Sequence, residues 1–209
     1  MMEPKTLAQL LACDPLAPVQ SAIVSTLTSL LPGVRVVAHP GRVDLSELLA
    51  KSVATAPGIG VGWSRVRRAM HMDGSFGALV EWVAYIVAEA RVVDGRRVEK
   101  EAVGLAIGGQ VLRALADDAA CFWGRAGILP PQMQPQAELK PLFTVRDMAE
   151  GTAYYTVTWT QLVADVGETL FPTATGTANP ETGTIDYADP DHIAAIAKFL
   201  PARKSDGDA

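Results

Sequence analysis

The chain has 209 residues, 49% of them hydrophobic and 20% charged, with a formal net charge of −5 at pH 7. This length suits one ordinary domain with extensions, and the apolar content argues against a chain that is disordered throughout. The negative charge argues against a dedicated, sequence-specific nucleic-acid binder, because such proteins present a basic excess to the phosphates. That argument concerns the whole chain and does not exclude a local basic patch.

The N-terminal residues predict no export signal and no membrane anchor. A signal peptide needs a basic segment followed by an apolar run, and Pro15 and Pro18 interrupt the only candidate. No uninterrupted apolar stretch is expected to reach the roughly 18–20 residues that span a bilayer. The sequence therefore predicts a soluble protein in a cytoplasm-like compartment.

The first third of the chain predicts short helices and strands in alternation. In chain order these are a short helix over residues 6–13, a helix over 18–31, a strand over 34–38, a short helix over 44–49 and a glycine-bearing strand over 59–68. Asp14-Pro15 ends the first helix and Pro32-Gly33 ends the second, because neither proline nor a glycine turn continues a helix. Residues 71–77 are expected to connect two antiparallel strands.

The rest of the chain is predicted to contain the central strand and the longest helix of the domain. Residues 79–87 are apolar on both faces, which is typical of a central strand. After a turn at Asp94-Gly95, a long helix is expected over 98–118, with Ala102, Leu105, Gly109, Leu112 and Ala116 along one buried stripe, broadened by Val103, Ile107 and Val111. A loop over 124–136 leads to a strand over 139–147. The last strand, over 154–163, has an aromatic and apolar face and a threonine face.

The composition changes after Asp165, where a Thr/Gly/Ala/Asn/Pro-rich stretch begins. We therefore expect an N-terminal extension over 1–17, an α/β domain over 18–166, and a C-terminal extended arm over 167–209 with a short helix and a disordered end. The expected fold class is α/β of the α+β type, with a mixed, mainly antiparallel sheet packed against helices.

The residues that could serve in catalysis or ligand binding are better explained by structural roles. Gly58, Gly60 and Gly62 lie in a strand pattern and do not open a helix as a nucleotide loop does. The three histidines (His39, His71 and His192) have no neighbouring ligand at metal spacing, which favours turn or surface positions. Cys13 and Cys121 are expected to be free, buried thiols. The acidic residues Asp186, Asp189 and Asp191 lack the spacing of a calcium loop.

Arg65, Arg67 and Arg68 form a basic cluster on the glycine-bearing strand. One interpretation is a solvated edge strand, where charges suppress aggregation. The other is an electrostatic contact with an acidic neighbouring subunit. Gly104 and Gly108 on the long helix favour close packing of helix on sheet over a helix-pairing site.

The arm has apolar residues at both ends of a polar span. Ile193, Ile196 and Phe199 follow the polar stretch, and either docking on the chain's own domain or docking on a neighbour would bury them. We predict an intermolecular contact. Removal of the arm should then leave the domain folded and impair assembly.

The order of elements resembles that of the Mu-like phage virion proteins regarded as tail terminators, also called tail completion proteins. The resemblance covers residues 19–166 and is carried by Leu-Leu-Pro-Gly-Val-Arg-Val, Asp-Leu-Ser-Glu-Leu-Leu, Val-Glu-Trp-Val-Ala-Tyr-Ile-Val and a closing Tyr-x-Val-x-Trp strand. It implies a homohexameric ring that caps the tail tube and sheath and provides the docking face for the head–neck connector. It implies no cofactor and no reaction, and it places the protein in the virion, and in the host cytoplasm before assembly.

Two alternatives remain from the sequence. One is another structural component of a phage neck or baseplate, with a similar α/β build. The other is a small hydrolase or nucleotide-binding enzyme. Genes for sheath, tube and head-completion proteins beside this one would favour a virion protein over an enzyme.

Overall fold

The computed structural model describes residues 4–41, 54–68, 77–142 and 151–164. The chain divides into a first unit, Met1–Glu168, and a second unit, Thr169–Ala209, which lies outside the described residues. The helices are α1 (Leu7–Ala12), α2 (Leu16–Leu30) and α3 (Lys100–Ala116), with a 3-10 turn at Ala120–Phe122. The strands are β1 (Arg35–Ala38), β2 (Gly58–Arg68), β3 (Ala78–Glu89), β4 (Arg91–Val93), β5 (Arg96–Val98), β6 (Glu138–Pro141) and β7 (Thr152–Val163).

Five of these strands form one sheet in the order β1-β2-β3-β7-β6, and β4 pairs with β5 in a separate hairpin. β1 runs parallel to β2, and the other pairs are antiparallel. The expected α+β fold, with a mixed and mainly antiparallel sheet, is thus confirmed. β3 is the central strand, as its apolar residues on both faces predict.

One face of the sheet packs against both α2 and α3. The central strand contributes Val80, Trp82, Ala84 and Ile86, all with no exposed surface. Their neighbours on β2 and β7, together with the buried residues of the two helices, belong to the same continuous hydrophobic core. Burial of this kind of apolar surface is the main force that holds such a domain together.

The buried face of α3 differs from the predicted stripe. The buried residues of α3 are Gly104, Ile107, Gly108, Val111, Ala114 and Leu115. Of the predicted stripe, Ile107 and Val111 are thus buried, and Val103 and Leu112 pack against the core while partly exposed. Ala102, Leu105 and Ala116 are exposed. The reason is the two glycines, whose missing side chains let the helix approach the sheet closely. A Cβ on Gly104 would overlap the ring of Tyr155, and one on Gly108 would lie 2.7 Å from a methyl group of Leu139. The close helix-on-sheet packing expected from these glycines is confirmed.

Replacing Gly104 with Ala is therefore expected to destabilise the domain by about 1 kcal/mol. Overpacking typically costs ~1–3 kcal/mol, and a gain of ~0.5–1 kcal/mol in helix propensity offsets part of it. Gly109 is the matched control, because a Cβ there meets no atom within 4 Å, so Gly109→Ala should be neutral or stabilising. Urea unfolding measures both. Equal effects at the two glycines would contradict the packing argument.

α2 begins at Leu16, two residues earlier than predicted, because Asp14 accepts hydrogen bonds from the backbone N–H groups of Leu16 (2.9 Å) and Ala17 (3.3 Å). It buries Val19, Ile23 and Leu27 in the core. This spacing of four residues places the three side chains on one face of the helix.

The N-terminal helices correct one expectation from the sequence. Residues Leu7–Leu30 are long and apolar enough to cross a membrane by length and composition, with a mean hydropathy of 1.3 over the most apolar window. Asp14 is the only charged residue in this stretch. In the structure the stretch is two helices, the second of which packs on the sheet.

The second face of the sheet is also largely buried, including most of the threonine face of β7. Val83 and Tyr85 of β3 and the threonines Thr156 and Thr160 of β7 are all largely inaccessible. His39, which was expected in a turn or at the surface, lies on this face. Its ring is edge-on to that of Tyr85, with 5.8 Å between the ring centroids.

Three predicted elements lie outside the described residues. They are the helix at 44–49, most of the strand connection at 71–77 and the end of the strand at 139–147.

Candidate interaction surface

The glycines that suggest a nucleotide loop form part of a strand. Gly58, Gly60 and Gly62 all lie in β2, paired with β3. A Cβ on Gly62 would lie 3.0 Å from the carbonyl oxygen of Gly41, so this glycine lets the backbone just after β1 pass close to β2. The close approach of two backbone segments explains this glycine without a phosphate ligand.

Cys121 has the environment of a packed thiol, as predicted. It is buried within the 3-10 turn that follows α3. Burial raises the pKa of its thiol, and the nearby charges of Asp118 and Asp117 raise that pKa further. A reactive cysteine needs the opposite shift, which favours the thiolate. Cys13, expected to be buried, is exposed because it follows the last residue of the exposed helix α1.

A buried glutamine that the sequence did not single out joins this turn to the sheet. Gln161 of β7 has no exposed surface. Its Oε1 accepts hydrogen bonds from the indole N–H groups of Trp123 (2.8 Å) and Trp159 (2.9 Å). Its Nε2 donates to the carbonyl oxygens of Cys121 (2.8 Å) and Leu129 (3.0 Å). The side chain thus uses all four of its bonding positions to hold the loop after α3 in place.

The predicted basic cluster is partly neutralised. Arg65 and Arg67 lie on one face of β2, as expected, and both approach the same carboxylate oxygen of Glu81, at 3.9 and 3.6 Å. Ser64 donates a 2.7 Å hydrogen bond to the other oxygen. Arg68 ends β2, and its side chain lies outside the described residues.

The edge-strand interpretation of this cluster needs a correction. β2 lies inside the sheet, between β1 and β3, rather than at its edge. However, β1 pairs only with residues Gly58–Val61, so Arg65 and Arg67 lie beyond the end of β1. Both side chains remain more than half exposed. They can contact another molecule, but Glu81 offsets part of their charge.

The β4–β5 hairpin is a second basic element, which the sequence indicated only by its turn. Asp94 (φ 50°) and Gly95 (φ 75°) form a two-residue turn with both residues in the left-handed region, as hairpins with the native strand twist require. Val92 and Val93 are 70% and 46% exposed. Charged and apolar side chains are therefore presented together on this hairpin.

The register divides the side chains of the hairpin between two faces. Arg91 pairs with Val98, and Val93 pairs with Arg96, so that one face carries two arginines and two valines in alternation. On the other face, Arg97 forms a 3.0 Å ion pair with Glu99. The guanidiniums of Arg91 and Arg96 form no hydrogen bond or ion pair with any residue that the structure describes. We call the face of Arg91, Val93, Arg96 and Val98 the hairpin face.

α1 is a third exposed element and has its own apolar face. Thr6 and Gln9 cap its N-terminus reciprocally, and every residue from 4 to 13 is exposed. Leu7, Leu10 and Leu11 have exposures of 54–71% and follow the i, i+3, i+4 spacing of one helix face. A six-residue helix gains little stability alone in water, so contact with another surface would stabilise it.

The remaining predicted site residues lie outside the described residues: Ile193, Ile196 and Phe199. Within the described ranges, no group of three or more His, Cys, Asp or Glu residues is placed to hold a metal ion. A shallow cleft of about 210 Å³ lies beside the start of α2, lined by Asp14, Leu16, Ala17, Gln20 and Trp63.

No family model matches the chain, and no curated protein matches it significantly.

Proposed function

We propose that the protein is a structural virion subunit that assembles with copies of itself into a hexameric ring, which caps a phage tail tube and sheath. In this role it offers a docking surface to the head–neck connector. The observation that carries the proposal is the exposure of two unlike elements, α1 and the β4–β5 hairpin, on a domain with a continuous packed core.

A closed ring needs two different surfaces on each subunit. In a heterologous interface, one patch of a subunit meets a different patch on the next, and the ring closes when the rotation between copies allows it. α1 presents leucines, and the hairpin face presents arginines beside valines. Two such unlike surfaces suit a head-to-tail contact better than a self-complementary dimer.

The resemblance to Mu-like tail terminators supports the particular assembly. The fold class it implies is the one observed, with β3 at the centre of the sheet and a long alanine- and glycine-rich helix packed on it. The ring, its position at the tail and its partners are part of the proposal. So is the absence of an enzymatic reaction.

Native mass spectrometry of the purified full-length chain, alone and with the tail tube protein of the same phage, tests the proposal. A closed oligomer, formed alone or on the tube, is the expected result. Imaging of assembled tails completes the test, because it detects a ring that forms only on the end of the tube. A single copy per tail, or a location at the baseplate, would overturn the proposed role.

We also expect the folding stability to be independent of metal ions and nucleotides. A ligand that binds only the folded state raises the melting temperature by mass action. Chelator, ATP or NAD should therefore leave the melting temperature of the chain unchanged in a thermal scan. A shift of several degrees with any one of them would point to an enzyme or a nucleotide-binding protein instead.

A further inference from the structure

The net negative charge of the chain is confined to its C-terminal sequence. Residues 1–164 contain equal numbers of acidic and basic residues. Residues 165–209 contain eight acidic and three basic residues, a balance of −5 that equals the charge of the whole chain. Four of the acids, Glu181, Asp186, Asp189 and Asp191, fall within eleven residues that contain no Lys or Arg. We call residues 181–191 the acidic stretch.

The hairpin has the opposite charge. Residues 91–98 contain three arginines and one aspartate, a balance of +2. The guanidiniums of Arg91 and Arg96 have no partner in the part of the chain that the structure describes, and they share the hairpin face with Val93 and Val98. Arginine binds carboxylates through a planar fork of donors, so this face suits an acidic ligand.

The mixture of side chains favours a protein ligand. A nucleic acid would satisfy the arginines but would leave the two valines against phosphates and sugars. A peptide that carries carboxylates followed by apolar residues would satisfy both. The acidic stretch has this composition, since Ile193, Ile196 and Phe199 follow it directly in the sequence.

We propose that the hairpin face of one copy binds the acidic stretch of a second copy of the chain. The inference rests on the proposed self-assembly and names the binding partner of one of its surfaces, the hairpin face. Each copy carries both the basic face and the acidic stretch, so complementary charge favours head-to-tail association. Exposed arginine–carboxylate pairs are individually weak and are screened by salt. The association should therefore weaken as salt rises, while the valines supply an apolar contact that salt does not screen.

Cross-linking tests the contact directly. R91K and R96K keep the charge of the hairpin face and supply amines that a carbodiimide can join to carboxylates. A mixture of ¹⁴N- and ¹⁵N-labelled full-length R91K/R96K chains should give mixed-isotope cross-links between the hairpin and residues 181–191. Cross-links only within one isotope would show that each chain binds its own acidic stretch. That outcome, or the absence of hairpin cross-links, overturns the inference.

Charge reversal tests the energetics in the full-length chain. R91E/R96E should weaken self-association at least tenfold in sedimentation experiments and remove most of its salt dependence. R35E/R125E is the matched control, with the same change in net charge at two other exposed arginines, and it should associate like the unaltered chain. Adding D186K/D189K/D191K to R91E/R96E should restore association. Equal melting temperatures would show that all variants fold.

The two proposals fail in distinguishable ways. If R91E/R96E forms rings on tails as well as R35E/R125E does, the hairpin contact is wrong and the proposed function stands. If the unaltered chain forms no ring alone or on the tail tube, the proposed function itself is wrong. If the hairpin of one copy cross-links to a different acidic region of another copy, that region is the binding partner, and the assignment to the acidic stretch is wrong.

Discussion

Replacing Gln161 with Leu is expected to destabilise the domain by at least about 3 kcal/mol. The change leaves three buried groups without their partner: the indole N–H groups of Trp123 and Trp159, and the carbonyl oxygen of Cys121. The partly buried carbonyl oxygen of Leu129 also loses its partner. Each buried polar group that loses its hydrogen bond costs ~1–3 kcal/mol. The leucine is similar in size, so the loss reflects hydrogen bonding more than a cavity.

The measurement is urea unfolding, monitored by circular dichroism and by tryptophan fluorescence. Gln161→Glu keeps the acceptor but replaces the two donors with an oxygen that faces two carbonyl oxygens, so it should be at least as destabilising near neutral pH. Thr158→Val is the control, because Thr158 lies on the same strand and is only partly buried. A loss below about 1 kcal/mol for Gln161→Leu would mean that the loop after α3 is not held by this side chain.

Replacing Trp82 with Ala is expected to cost about 3–5 kcal/mol, the usual range for removal of a large aromatic side chain from a core. Trp82 has no exposed surface. It lies at the centre of the sheet, where it pairs with Trp63 on β2 and Trp159 on β7. No neighbouring element can collapse into the space without distorting the three strands.

Trp82→Phe separates the contribution of packing from that of polarity. The indole N–H of Trp82 is buried and has no hydrogen-bond partner among the residues that the structure describes. Phenylalanine leaves a smaller cavity and removes this unsatisfied donor, so the expected loss is less than half of that for alanine. Comparable losses for the two substitutions in urea unfolding would indicate that the indole N–H is satisfied in solution and contributes to stability.

The central strand could be predicted from the sequence because the pattern of apolar residues there fits a buried strand. Residues 79–87 are apolar on both faces, which suits only a strand covered on both sides, and β3 is such a strand. The face of α3 was predicted only in part: Ile107 and Val111 are buried as expected, but Leu105 is exposed. A periodicity argument looks for large side chains at the contact, and here Gly104 and Gly108 form part of that contact.

The candidate surfaces were less predictable than the core. Each strand of the β4–β5 hairpin has three residues. That length is too short to show an alternation of apolar and polar residues, so only the Asp94-Gly95 turn indicates the hairpin in the sequence. Gln161 interrupts an apolar strand face and gives no local signal. Its partners in the turn and loop after α3 lie 32–40 residues away in the sequence, so only the tertiary structure brings them together.

The pairing of β3 with β7 also bears on how the chain folds during synthesis. All twelve residues of each strand are paired, from Ala78 with Val163 to Glu89 with Thr152, so every contact joins residues more than sixty positions apart. Such non-local pairing slows folding, because a long loop must close before any contact forms. The central strand of a nascent chain therefore lacks one neighbour until β7 has left the ribosome. Until then its apolar faces are available to chaperones and to other unfinished chains.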